Sequence, residues 1–161
     1  MDIIDIRPII SSHKDSLQNN STTTVQTIVF LVIPALISGL LTYKGIKLDS
    51  NSLGTLISTF AIFVGFTVNL MILLIANLGK QETYISDNLV KDLRYNTAFE
   101  LLLGTVILAL SLFGNLTIGS LGLLATSILS ITIYFFVIEY LLTLLIITRR
   151  LYVIVDQDLH N

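Results

Sequence analysis

The chain has 161 residues, of which 53% are hydrophobic and 12% are charged, and its mean hydropathy is +0.85. A soluble domain carries about 25% charged residues, so this composition places the chain among integral membrane proteins. The net charge of -2 leaves no basic footprint for direct contact with nucleic acid, and the absence of cysteine excludes disulfides, thiolate metal sites and cysteine nucleophiles.

Residues 1–24 form a polar arm. Ile6, Ile9, Ile10, His13 and Leu17 recur at roughly helical spacing, with Pro8 near the helix start, which reads as a short helix lying at the membrane surface, with a partner-docking helix as the alternative. The arm lacks the apolar core and small-residue cleavage site of a secretory signal, so the first span is expected to act as an uncleaved signal. Span one is expected over about residues 25–41, with Pro34 near its centre. A central proline frees a carbonyl and favours a kink, which neighbouring helices can satisfy.

Span two is expected over about residues 53–78. Gly54, Ser58, Ala61, Gly65, Asn69 and Ala76 fall on one stripe of it. Small residues let membrane helices approach closely and polar ones can bond across the seam, so this helix is expected to be the best packed of the bundle. Asn69 is expected to bond between helices, with a pore-lining position as the alternative. Residues 79–96 are the one long polar segment between spans, and the spacing of Leu89 and Leu93 suggests a helix that continues into span three, with Asp87 or Asn88 as its cap.

Span three is expected over about residues 97–113, with Glu100 in its first turn. There the helix dipole favours a carboxylate and the interface can hydrate it. Gly104 extends a small-residue face. Span four, residues 121–148, is long enough that it must tilt or project, and it carries one acid, Glu139, about ten residues ahead of Arg149 and Arg150. That places Glu139 near the bilayer midplane, where an ionisable residue is expensive. It reads either as a pore, proton or gating residue or as a neutral acid that joins two helices. Residues 149–161 form the tail.

Basic residues set the orientation. Arg7, Lys14, Lys80, Lys91, Arg94, Arg149 and Arg150 fall on one side of four alternating spans, and only Lys44 and Lys47 fall on the other. The expected fold is therefore an all-α, four-helix transmembrane bundle with both termini cytoplasmic. Lys80, Lys91, Arg94, Arg149 and Arg150 become candidates for contact with a partner or with lipid headgroups. Enzymatic motifs are missing: the histidines are His13 and His160, at opposite ends, and there is no HExxH, paired-carboxylate, phosphate-loop or GxSxG pattern. No catalytic residue, metal site or cofactor is expected.

Two stretches carry a resemblance. One is Ile33-Pro34-Ala35-Leu36-Ile37-Ser38-Gly39-Leu40-Leu41 with Leu56 to Leu70 after it, and the other is Tyr140 to Tyr152. This pattern resembles the small four-span bacterial membrane proteins of anti-phage defence loci, the membrane subunits of Kiwa-type systems first among them. Asn69 and the Arg149-Arg150 pair are the positions matched. The resemblance implies a homo-oligomer in the bacterial inner membrane that senses infection and works with a cytoplasmic effector from a neighbouring gene. It supplies no catalytic residues. A pore-forming effector or channel, with Glu139 and Asn69 on a central axis, is the alternative, and a proton-coupled exporter is the third.

Overall fold

The computed structural model describes residues 28–78 and 87–159, all helical apart from the connecting turns. Four α-helices follow one another: α1 Ile33–Tyr43, α2 Ser50–Leu78, α3 Asp87–Thr117 and α4 Leu123–Leu159. Three of them hold apolar stretches long enough to cross a membrane: Ser50–Ala76, Lys91–Thr117 and Leu123–Tyr152. The fourth apolar helix, Ile28–Tyr43, is shorter, about 24 Å at 1.5 Å per residue. Its first turn, Ile28–Val32, is wound as a π-helix, and Pro34 stands just inside the α-helix that follows. Proline has no N–H for the carbonyl four residues back, and a wider turn is one way to absorb that loss. The expected arm, residues 1–24, and Lys80 lie outside the described residues.

α1 ends at a glycine for a clear backbone reason. Gly45 adopts φ +81°, Ile46 N–H donates to Leu41 O at 3.1 Å and Gly45 N–H donates to Thr42 O at 3.0 Å. This pair of bonds is the Schellman closure, which needs a left-handed residue at that position. The next turn is fixed to the rest of the bundle at both ends. Leu48 N–H donates to Ser130 Oγ of α4 at 3.1 Å, and Ser50 Oγ bonds Asn115 Oδ1 of α3 at 2.6 Å. Asp49 caps α2, accepting from Ser52 N–H at 2.8 Å.

α1 packs along α4, α4 along α3, and α3 along α2. The core of α2, α3 and α4 follows a seven-residue rhythm. Leu53, Phe60, Thr67 and Leu74 of α2 are buried, as are Leu93, Glu100, Ile107 and Gly114 of α3 and Ile133, Tyr140 and Ile147 of α4. A sustained period of seven brings helices together at a shallow left-handed crossing, with side chains meeting in layers. Leu74, Leu93 and Ile147 form one layer. Phe60, Leu103, Ile107 and Tyr140 form the middle of the core, and Leu48, Leu53 and Ile133 close the other end.

Two glycines let α3 lie close to both neighbours. A Cβ on Gly104 would stand 2.6 Å from Val64 Cγ2 and 3.2 Å from Tyr140 Cε2, and one on Gly114 would stand 2.8 Å from Leu129 Cδ2. The other ends of α3 and α4 are joined by an ion pair, Arg150 Nη1 to Asp92 Oδ2 at 3.3 Å. Beside it, Arg94 Nη2 donates to Leu74 O of α2 at 3.4 Å.

The packing differs from the sequence expectation at two places. α2 is not the best-packed helix: 17% of its membrane-length window is buried, against 39% for α3 and 28% for α4. Its larger residues turn inward, while Ser58, Ala61, Gly65, Asn69 and Ala76 are exposed and Gly54 is half-buried. Span three is also longer than the expected 97–113, because the polar segment before it is already helical from Asp87.

Substituting Gly104 with valine should overpack the three-helix crossing and lower stability by about 1–3 kcal/mol. Gly65→Ala, with no atom within 4 Å of the added carbon, should be close to neutral; thermal unfolding in detergent checks both. The Ser52 hydroxyl and N–H hold the Asp49 carboxyl below the ordinary value of 3.8. A depressed folded pKa stabilises fully above the unfolded value and is lost as pH falls through the folded one. Asp49→Asn should therefore flatten the acid limb of a pH–stability profile.

Candidate functional site

The core of this bundle is more polar than its surface composition suggests. Thr67, Asn96, Thr97, Glu100, Ser111, Ser130, Glu139 and Thr143 are all buried. Most of the threonine hydroxyls are accounted for within their own helices: Thr67 donates to Phe63 O at 2.9 Å, Thr97 to Leu93 O at 2.8 Å and Thr143 to Glu139 O at 2.9 Å. Such back-bonding lets a hydroxyl sit in an apolar core without a second helix to bond to. The carboxyl groups have no comparable local solution.

Glu100 occupies a seam position of α3 and is fully buried. It is not in the first turn: α3 starts at Asp87, about 20 Å back along the helix axis at 1.5 Å per residue. Neither of its carboxyl oxygens has a hydrogen-bond partner. Tyr140 of α4 comes onto the same stretch of α3, with its ring against Gly104, one turn beyond Glu100. Tyr140 is itself 1% exposed, and its hydroxyl lies 3.3 Å from Thr67 Oγ1. Thr67, Glu100 and Tyr140, one residue from each of the three core helices, therefore stand together as a polar layer. Aromatic rings seal it on one side. Phe60 meets Tyr140 edge-on with centroids 5.1 Å apart, and Phe63 stacks on Tyr140 at 6.0 Å.

Glu139, one residue before Tyr140, is 9% exposed. Asn69 is exposed on the outer side of α2. The two residues expected to share a central axis thus occupy different environments within one chain. Among the described residues, no helix covers most of the small-residue stripe either. Ser50, Asn51, Gly54, Thr55, Ser58 and Asn115 instead border an open groove of about 700 Å³ at one end of α2.

The basic residues divide into two kinds. Arg94 and Arg150 are turned to the chain's own helices, whereas Lys91 and Arg149 are exposed. Sequence reasoning passed over Tyr140 and Thr67 as site residues. Their seven-residue spacing from Ile133, Ile147, Phe60 and Leu74 is the signal that finds them. Comparison with protein-family models, with curated proteins and with solved structures returns no match.

A buried polar group left without a partner costs stability, and an apolar group of similar shape removes that cost. Glu100→Leu should therefore raise the thermal midpoint in detergent, and Glu100→Gln should leave it nearly unchanged. Glu100→Lys, which adds a charge to the same layer, should prevent stable folding.

Proposed function

We propose that this protein is a sensor or scaffold subunit that crosses the bacterial inner membrane four times, with both termini in the cytoplasm. It performs no chemistry of its own and presents a rigid helical end to a separate cytoplasmic effector, in keeping with its resemblance to membrane subunits of anti-phage defence loci. The lipid bilayer and further copies of the same chain are its other partners.

The observation that carries this reading is the length of α3 and α4 and the ion pair that joins them. α3 has 31 residues and α4 has 37, about 46 and 55 Å at 1.5 Å per residue. A hydrocarbon core is about 30 Å thick. The two helices run antiparallel and the Asp92–Arg150 pair holds the start of one against the end of the other. The surplus length therefore supports a two-helix stalk on the side where basic residues gather, with Lys91 and Arg149 on its surface. Such a stalk suits a docking role, because a change in helix packing within the bilayer is carried to its tip without a flexible joint.

A pore with Glu139 and Asn69 on one axis is less well supported, since Asn69 faces outward and Glu139 is almost enclosed.

The test is capture of the neighbouring gene's product by tagged protein, at rest and during phage infection. Asp92→Arg should abolish capture, and pairing it with Arg150→Asp should restore it. Failure to capture the effector in either state would overturn the reading. So would depolarisation of cells that express this protein alone, which would make it a pore.

A further inference from the structure

We propose that the layer formed by Thr67, Glu100 and Tyr140 is an intramembrane proton-binding site. Glu100 is held there as the neutral acid while α2, α3 and α4 are closed, and it gives up its proton when they part.

The geometry leaves little else for this carboxyl to do. It is fully buried, and both oxygens are without a hydrogen bond. An ionised carboxylate removed from water needs a counter-charge or several donors. α2 offers no counter-charge, because Ser50 to Leu78 contain no ionisable side chain. From α4 the titratable neighbours are Tyr140 and, one residue before it, Glu139, and neither supplies positive charge. On α3 itself Tyr95, Arg94 and Asp92 lie toward the helix start. Arg94 is about 9 Å along the axis at 1.5 Å per residue and is engaged with Leu74 O, while Asp92 is engaged with Arg150. α1 packs on α4 and carries no charged side chain between Ile33 and Tyr43.

Closure is equally well marked. Gly104, one turn beyond Glu100, brings Val64 of α2 and Tyr140 of α4 onto α3, and Phe60 and Phe63 cover the Tyr140 ring. Among the described residues these helices enclose the carboxyl completely, so their separation admits water to it. Proton release and helix separation are therefore one event: the free carboxylate favours an open, hydrated seam, and the neutral acid favours a closed one.

Infrared spectroscopy of the full chain in lipid membranes tests it directly. At neutral pH the wild type should show the carbonyl stretch of a protonated carboxylic acid, which Glu100→Gln removes and Glu139→Gln keeps. Glu100→Asp, which keeps a carboxyl at this position on a shorter stem, should keep the band at a shifted frequency, and this holds the test open should Glu100→Gln fail to insert. As pH is raised the band should disappear together with a gain in amide hydrogen exchange across the seam, and Glu100→Gln should show no such gain. Loss of a carboxylate band in place of an acid band in Glu100→Gln would overturn the proposal. So would a Glu100→Asp spectrum with the band unmoved, an acid band that titrates without any change in exchange, or one that survives until the whole protein unfolds.

Discussion

The bundle depends on a seam of residues seven apart in which one position per helix is polar. In a bilayer the lipid tails are as apolar as leucine, so burying Leu53, Leu93 or Ile147 between helices gives no hydrophobic advantage over leaving them in lipid. What holds the helices together is close packing and the few directed contacts between them. Gly104 and Gly114 supply the first by letting backbones approach. The Thr67–Tyr140 contact, the Ser50–Asn115 and Leu48–Ser130 bonds and the Asp92–Arg150 pair supply the second. These contacts are spread from one end of the bundle to the other, so each fixes the register of the next. A slip of one residue along α3 would turn Glu100 out of the seam to the half-buried position of Phe99 or Leu101 and break the ion pair at the same time.

Glu100 weakens this seam and makes it specific. A polar residue at one seam position of a helical bundle costs stability and favours the single alignment in which its neighbours tolerate it. Here the tolerant neighbours are a threonine, whose hydroxyl is donated within its own helix, and a tyrosine flanked by aromatic rings. An aliphatic seam with the same period would hold more tightly and would have more than one acceptable alignment.

α1 and the outside of α2 stand apart from this core. α1 rests on α4 through a face that includes Pro34, Ser38 and Thr42. The outer side of α2 carries small and polar residues, with Asn69 exposed at a depth where water is scarce. α3 and α4 are joined beyond the Leu74–Leu93–Ile147 layer by the Asp92–Arg150 pair.

The sequence alone determined the membrane class, the helical fold and the approximate extent of the apolar segments, because a long uncharged run has one stable solution in lipid: a helix that satisfies its own backbone. It also showed the small-residue stripe of α2 and the acid in α4. Only the tertiary structure decided which faces turn inward. Stripe spacing shows that Gly54, Ser58 and Gly65 share a side, but small residues suit a lipid face, a groove and a helix crossing equally, and here the larger residues Leu53, Phe60 and Leu74 took the seam. The same holds for the two acids. Glu139 looked isolated by its depth, and Glu100 looked hydrated by its nearness to a polar segment. Once that segment proved to be helical from Asp87, Glu100 lay well inside α3, and the phase of the seven-residue period turned it onto two neighbouring helices. Burial of a charge depends on the rotation of its helix about the axis, and that rotation is set by the partners, which local sequence does not contain.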